Sequence, residues 1–241
     1  MLDLHPAGLG PAHSARASGC RAWQNLHDFI GINAACLPYA TFAGVMEVNP
    51  LFPARTVPEF IAYAKANPGK LTMATAGTGT IPQMWGQLFK IAAGVDLISV
   101  PYRGGSGPAL TDLIGGQVDV TFDPIPGSIE FIKAGKLRAL GVTSARRVEQ
   151  LPEVPTIGQF VPGYDAIGWN GIGVPKNTPP EIIKTLNTEI ATALADPKFR
   201  ARINELGATV AITSPAEFGA LIAKDVEKWG NVIRTANIKP E

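Results

Sequence analysis

The residues best spaced for binding chemistry lie in the stretch MATAGTGTIPQM, residues 73–84. A short apolar run leads there into an amphipathic helical pattern through four small residues, Gly77, Thr78, Gly79 and Thr80. A glycine-rich turn from a strand into a helix presents backbone N–H groups at the positive end of the helix dipole, which favours an anion. With the hydroxyl groups of Thr75, Thr78 and Thr80, the turn is sized for one carboxylate or phosphate. An ordinary capped turn has the same composition, so both interpretations stay open.

Other chemistries are disfavoured by what the sequence lacks. No lysine follows the second glycine of the turn as in a P-loop, and Pro82 occupies the third glycine position of G-x-G-x-x-G, so nucleotide binding is disfavoured. All three histidines and both cysteines precede Leu37, which removes Ser-His and Cys-His pairs and most zinc ligand sets from the regular part of the chain. Cys20 and Cys36 are compatible with a disulfide or with two free thiols. We expect no catalytic residue, metal or cofactor.

Two later strand ends repeat the pattern of the turn. In PYRGGSGPAL, Tyr102 and Arg103 follow an apolar run and precede a glycine-rich turn, and in TFDPIPGS the residue leaving the strand is Asp123. Ligands of α/β proteins usually bind at the carboxyl ends of strands, so these polar groups are candidates for one shared edge. Arg103 is also compatible with a surface charge, and Asp123 with a turn or N-cap carboxylate. Trp169 fits a core or cleft-wall position better than a ligand contact.

Alternating strands and helices would position these turns. From Val45 onward the strand-like runs VMEVNP, LTMATA, LISVPY, VDVTF and LRALGVTS alternate with helical patterns. This alternation is the signature of βαβ units, so we predict an α/β fold with a mostly parallel sheet flanked by helices. The helix after Thr80 should bury Met84, Leu88 and Ile91 or their neighbours.

The last third of the chain differs in composition from the rest, and three helices are predicted at its end. A connector rich in proline and glycine runs into one strand near Ile167 to Val174. Thr178 and Ser214 are predicted N-caps, completed by Glu181 and Glu217 in capping boxes. Between these two helices, a proline opens the helix KFRARINELG, and the run ATVAI predicts a short strand.

Composition limits the partners. The 241 residues include 21 Lys plus Arg and 20 Asp plus Glu, which gives a net charge of +1. This balance lacks the excess of positive charge typical of nucleic-acid-binding proteins, so nucleic acid is disfavoured as a partner. No run approaches the roughly 18 to 20 apolar residues of a membrane span.

Residues 1–36 show neither helical nor strand periodicity nor the pattern of a secretory signal peptide. We interpret them as an irregular or non-native leader.

Several long stretches resemble one protein family. NPGKLTMATAGTGT, GVDLISVPYRGGSGPALTDLIGGQVDVTFD, PGYDAIGWNGIGVPKNTPPEIIKTLN and the terminal KWGNVIRTANIKPE are similar to the Bug or TctC family. These proteins are the extracytoplasmic solute-binding receptors of tripartite tricarboxylate transport systems. The similarity runs in unbroken order from Val45 to Glu241.

The resemblance implies a periplasmic-binding-protein-like (type II) α/β fold whose two domains close on a small carboxylate. Residues 48–144 would form the second domain, and residues 37–47 with 145–241 the remainder of the first. The implied ligand-binding residues are Thr75, Gly77, Thr78, Gly79, Thr80, Gln83, Tyr102 and Asp123. The implied function is periplasmic binding of a di- or tricarboxylate, or of an amino or aromatic acid. The solute would be delivered without catalysis to the membrane permease of the transporter.

The sequence departs from the family pattern at its start. Family members usually begin, after a signal peptide, with a strand and a Pro-Gly-Gly turn that holds the ligand's other carboxylate, and residues 1–36 do not replace them. We therefore expect an incomplete first domain and weak carboxylate binding, because each lost hydrogen bond to a charged group removes about 1.5 to 3 kcal/mol. A truncated fragment that binds nothing stays open, as does a hydrolase that uses Asp123 and Arg103. Thr78 and Gln83 stand where the family often has Asn and His, which leaves the choice of ligand open.

Overall fold

The computed structural model describes residues 34–175 and 177–238. Seven strands and seven α-helices lie in this part of the chain. In order they are β1 (Ala34–Val48), α1 (Val57–Ala66), β2 (Thr72–Thr75), α2 (Ile81–Ala93), β3 (Ile98–Pro101), α3 (Ser106–Ile114), β4 (Val120–Pro124), α4 (Ile125–Lys133), β5 (Arg138–Val142), β6 (Ile167–Val174), α5 (Pro180–Ala195), α6 (Pro197–Glu205), β7 (Ala208–Val210) and α7 (Pro215–Thr235). A short 3-10 helix, Ile157–Gln159, precedes β6. None of the described helices is long and apolar enough to cross a bilayer.

The first strand begins earlier than the sequence pattern indicates. β1 starts at Ala34, which pairs with Val174 of β6. The prediction of an irregular leader over residues 1–36 is therefore wrong for its last three residues, because their backbone is extended and pairs with a strand more than a hundred positions away. The rest of the predicted leader lies outside the described residues.

The seven strands form one mixed sheet. Five of them lie in the order β3-β2-β4-β1-β5, and β6 and β7 also pair with β1. β2 is parallel to β3 and β4, whereas β1 is antiparallel to all four of its partners. The α/β class is confirmed, and the predicted mostly parallel sheet is corrected to a mixed one. The βαβ alternation predicted the parallel direction of β2, β3 and β4 correctly. It failed for β1, which ends in the run VMEV and is antiparallel to β4.

Strand β1 changes partners along its length. Residues 34–43 pair with β6 and β7, and residues 44–48 pair with β4 and β5. Gly44 stands at this change, where an added Cβ atom would lie 2.2 Å from the indole of Trp85, so only glycine fits. The backbone N–H of Gly44 also donates to Thr143 Oγ1 at 2.8 Å, which holds the strand at this point. The predicted domain boundaries, at residues 47/48 and 144/145, stay a prediction.

The main apolar core joins α2 and α7 to the sheet. Helix α2 contributes Met84, Trp85 and Phe89, all of which are buried. The prediction that α2 buries Met84 is confirmed, whereas Ile91 is 41% exposed and its neighbour Phe89 takes its place. Helix α7 adds three buried residues from its last two turns, Trp229, Val232 and Ile233. The C-terminal helix is therefore fixed against the helix that follows the glycine-rich turn.

The two predicted capping boxes have different outcomes. Ser214 caps α7, since its Oγ accepts from the N–H of Glu217 while Glu217 Oε2 accepts from the N–H of Ser214. The predicted box of Thr178 and Glu181 is wrong, because α5 begins at Pro180 and Pro179 occupies the N-cap position. The Thr178 hydroxyl instead donates to the carbonyl oxygen of Pro175 at 2.8 Å.

Removing the cap of α7 should destabilise the protein measurably. We expect Ser214→Ala to lower the free energy of unfolding by about 1 kcal/mol, because it leaves the N–H of Glu217 without its side-chain acceptor. Urea unfolding followed by circular dichroism measures the change. Thr178→Ala is the matched control, and a loss as large as that of Ser214→Ala would contradict the assignment of the two caps.

Candidate functional site

The glycine-rich turn joins β2 to α2 and is held by its own side chains. Gly77 and Gly79 have φ angles of +118° and +75°, in the region that favours glycine. The Thr80 hydroxyl donates to the carbonyl oxygen of Gly77 at 2.8 Å, so it closes the turn and does not cap the helix. Gln83 Oε1 accepts from the N–H of Gly79 at 2.5 Å. Thr80 and Gln83, both predicted ligand contacts, thus fix the shape of the turn from within.

The hydroxyl of Thr75, just before this turn, is buried without a hydrogen-bond partner among the described residues. Thr75 is fully buried as the last residue of β2, and its Oγ1 has no hydrogen-bond partner within the described part of the chain. A buried hydroxyl without a partner costs about 1 to 3 kcal/mol, which proteins usually avoid. The glycine-rich turn lies between Thr75 and Ile81, the residue where α2 and the positive end of its dipole begin. An anion at this turn would accept from the hydroxyl and be stabilised by the dipole.

Three predicted strand ends meet at one edge of the sheet. Because β2 is parallel to both β3 and β4, the carboxyl ends of these strands point the same way. The N–H of Tyr102, just after β3, donates to the carbonyl oxygen of Thr75 at 2.9 Å. The Ser106 hydroxyl, at the start of α3, donates to Asp123 Oδ1. The structure therefore brings the turn, Tyr102 and Asp123 together, with Ser106 as a link that sequence reasoning missed.

The side chain of Tyr102 bonds to the helix that follows it, α3. Its hydroxyl donates to Asp112 Oδ2 of α3 at 2.6 Å. Desolvation, with the hydrogen bond and charge of Asp112, raises the pKa of Tyr102 to about 12. The backbone of Tyr102, and not its hydroxyl, is the part that contacts the turn.

Asp123 belongs to a buried pair of carboxyl groups. Glu47 of β1 is fully buried, and its Oε1 accepts from the Ser128 hydroxyl at 2.5 Å, while Asp123 Oδ2 lies 3.4 Å from the same hydroxyl. Burial raises the pKa of Glu47 to about 8, and the charge of Asp123 adds to the shift. Burial also raises the pKa of Asp123 to about 6, against the opposing hydrogen bonds from Ser106 and Ser128.

Sequence reasoning missed Glu47 altogether. The available signal was a single charged residue within the apolar run VMEV, where both neighbours are buried. The predicted alternative for Asp123, an N-cap carboxylate, is wrong, since Pro124 takes the N-cap position of α4 without any side-chain cap. Arg103 is exposed, which fits a surface charge.

An apolar cavity of about 150 Å³ adjoins the turn. Its walls include Ile81, Trp85, Ile167, Trp169, Trp229 and Asp225. Ile81 is the first residue of α2 and follows Thr80 directly, so the cavity begins where the turn ends. Trp169 Nε1 donates to Asp225 Oδ2 at 2.7 Å, and its ring packs edge-on against Phe218. Trp169 is thus a cleft wall, as expected.

A wider polar cleft of about 520 Å³ has walls from residues 144–150 and 204–209. Arg146 and Arg147 contribute charge there, and Arg147 already donates to the carbonyl oxygen of Pro152 at 2.7 Å. This cleft is a competing location for an anion. No group of three His, Cys, Asp or Glu residues that could hold a metal occurs among residues 34–175 and 177–238.

The family model of the tripartite tricarboxylate transporter family receptor matches residues 22–238. The match includes residues 22–36, so a non-native origin of the whole predicted leader is not supported. The chain is 37% identical over 213 residues to the UPF0065 protein in the tcbD-tcbE intergenic region of Pseudomonas sp. strain P51. That match covers 88% of this chain and 62% of the relative, so the chain spans less than two thirds of the relative's length.

Solved structures with the same fold include two binding proteins at more than 30% identity. R. palustris Rpa4515 with adipate superposes with a TM-score of 0.77 at 33% identity, over 86% of this chain and 70% of that one. The periplasmic binding protein BugD gives a TM-score of 0.73 at 31% identity, over 86% and 70% of the two chains. The predicted periplasmic-binding-protein-like fold is confirmed. The family model describes a receptor and BugD is a periplasmic binding protein, which agrees with the prediction of a binding protein without catalysis.

Proposed function

Because the chain belongs to the tripartite tricarboxylate transporter receptor family, we propose that it binds a small organic carboxylate at the turn between β2 and α2. The observation that carries the proposal is the hydroxyl of Thr75 at the end of β2, just before the turn into α2, which is buried and unpartnered among the described residues. One carboxylate oxygen accepts from this hydroxyl. The helix dipole stabilises the negative charge.

The proposal extends to the surroundings of the site. In this proposal the ligand lies in a cleft between two domains. One domain is residues 48–144, and the other is residues 37–47 with 145–241. The adipate in the related R. palustris structure supports an acid of about that size as ligand. The name of the family supports a receptor that delivers its solute to a tripartite tricarboxylate permease, and the related periplasmic binding protein BugD supports a periplasmic location.

The proposed roles divide the predicted residues into two groups. Thr75 contacts the ligand directly, and the backbone of residues 77–80 surrounds it. Gln83 and Thr80 hold the turn in shape through their bonds to Gly79 and Gly77. Each hydrogen bond to the charged carboxylate contributes about 1.5 to 3 kcal/mol, so a few such bonds account for specific binding.

Calorimetric titration tests the proposal with a backbone variant. We expect adipate to bind and adipamide, its uncharged analogue, not to bind at the same concentrations. Gly77→Ala should weaken adipate binding about tenfold or more, because alanine is strained at φ +118° and the turn must shift. Gly94→Ala is the matched control, since Gly94 also has positive φ but lies at the far end of α2 with open space around it.

Other outcomes would count against the location or the function. If Arg146→Ala abolishes adipate binding while Gly77→Ala does not, the ligand occupies the polar cleft and the turn is not the site. If adipate and adipamide behave alike up to millimolar concentrations, the chain is not a carboxylate receptor as it stands. A micromolar affinity would support the function and contradict the expectation of weak binding.

A further inference from the structure

The geometry next to the turn points to the class of acid that the site takes. We propose that the ligand is a monocarboxylate whose other end is an aromatic ring, and that the ring occupies the cavity between Trp85, Trp169 and Trp229. This inference rests on the proposed carboxylate site and adds the identity of the tail. It favours an aromatic acid over a tricarboxylate.

The walls of the cavity are unsuited to a second negative charge. Asp225 is the charged residue in the wall, and its Oδ2 already accepts from Trp169 Nε1 at 2.7 Å. Lys228 lies one turn further along α7, but its ammonium donates to the carbonyl oxygen of Asp165 and lies 4.7 Å from the ring centre of Trp229. A carboxylate in the cavity would therefore face the Asp225 carboxylate with no lysine or arginine among the described lining residues, which is strongly unfavourable in an apolar site.

The size and shape of the cavity fit one six-membered ring. Its volume is about 150 Å³, and an engineered protein cavity of about that volume lined by apolar side chains binds benzene. Indole rings offer edge and face contacts that aromatic ligands prefer. A ring therefore fills this space more completely than a short diacid chain does.

One buried polar atom, on a residue that lines the cavity, adds a preference within the aromatic acids. The indole N–H of Trp85 is buried and has no acceptor within residues 34–175 and 177–238. An oxygen substituent on the ring would accept from this donor. We expect 4-hydroxybenzoate to bind more tightly than benzoate for this reason.

The cavity and the turn are adjacent along the chain. Ile81 is at once the first residue of α2 and part of the cavity wall, and Thr80 precedes it in the turn. The carboxylate would lie at the N-terminal end of α2 and the ring beside the next turn of the same helix, where Trp85 stands.

Binding of benzoate, 4-hydroxybenzoate and succinate to the whole chain tests the inference. We expect the aromatic acids to bind at least tenfold more tightly than succinate and to change the tryptophan fluorescence, since three of the four tryptophans line the cavity. Ile81→Phe and, from the opposite wall, Ile167→Phe should each fill the cavity and weaken benzoate binding about tenfold, and Ile167→Phe should have little effect on succinate binding. Ile91→Phe is the control on the same helix, because Ile91 is exposed and outside the wall.

The outcomes separate this inference from the proposed function. Succinate binding with no preference for aromatic acids, or benzoate binding that both filling variants leave unchanged, would overturn the ring assignment while leaving the carboxylate site intact. Failure of all three acids to bind would overturn both. Thermal unfolding of each variant, measured alongside, shows whether a loss of binding reflects a loss of folded protein.

Discussion

Replacing Glu47 by glutamine should stabilise the protein at pH 8 by a few kcal/mol and leave its stability near pH 4 almost unchanged. Burial raises the pKa of Glu47 from its ordinary value of 4.5 to about 8 in the folded state. Between these two pH values the folded protein binds more protons than the unfolded chain, so stability falls as pH rises. Glutamine has the same shape and cannot ionise, so this fall disappears in the variant.

Urea unfolding at a series of pH values measures the effect. The native protein should lose stability steadily from about pH 4 to pH 8, and Glu47→Gln should keep only the smaller fall between pH 4 and 6. That remaining fall belongs to Asp123, whose pKa burial raises from 3.8 to about 6. Glu130→Gln is the control, since Glu130 is exposed and pairs only with Lys133 at 3.5 Å among the described residues. Parallel pH profiles for the native protein and Glu47→Gln would show that Glu47 ionises freely.

Replacing Thr75 by valine should change stability and ligand affinity in opposite directions. Valine has the shape of threonine but no hydroxyl, so it removes a buried polar atom that has no partner in the described part of the chain. We expect the unliganded variant to be more stable by about 1 kcal/mol. We also expect adipate and benzoate to bind about 10 to 100 times more weakly, because a hydrogen bond to the carboxylate is lost.

Thermal unfolding without ligand and calorimetry with ligand measure these two effects separately. Thr185→Val is the matched control, since the Thr185 hydroxyl bonds only to the carbonyl oxygen of Glu181 on the exposed surface of α5 in the described structure. It should change neither affinity nor stability by much. A variant at Thr75 that loses stability and keeps its affinity would show that the hydroxyl has a structural role and does not contact the ligand.

Local patterns in the sequence predicted the elements of this fold well. The alternation of short apolar runs with helical patterns gives β2, α2, β3, α3 and β4 in the right order, because each depends on residues within a few positions. The parallel direction of these strands follows from their helical connections. The sharing of one sheet edge by Thr75, Tyr102 and Asp123 could therefore be predicted without coordinates.

Features that depend on distant contacts could not be predicted in this way. The start of β1 at Ala34 is set by pairing with β6, and nothing in the local composition marks it. The burial of Glu47 depends on Ser128, 81 positions along the chain. The bond of the Thr80 hydroxyl also depends on local geometry, since a threonine before a helix usually caps it, and here the hydroxyl donates to the carbonyl oxygen of Gly77.

The shared strand β1 has a consequence for how the chain folds. Its N-terminal half pairs with β6 and β7 and its C-terminal half with β4 and β5, so both groups of strands depend on pairing with this one strand. The pairing of Thr41 with Thr209 joins residues 168 positions apart. The chain must therefore lose the entropy of closing a long loop before these hydrogen bonds can form. Such a topology makes folding cooperative across the whole described chain and slow, because its most distant segments must meet before the sheet is complete.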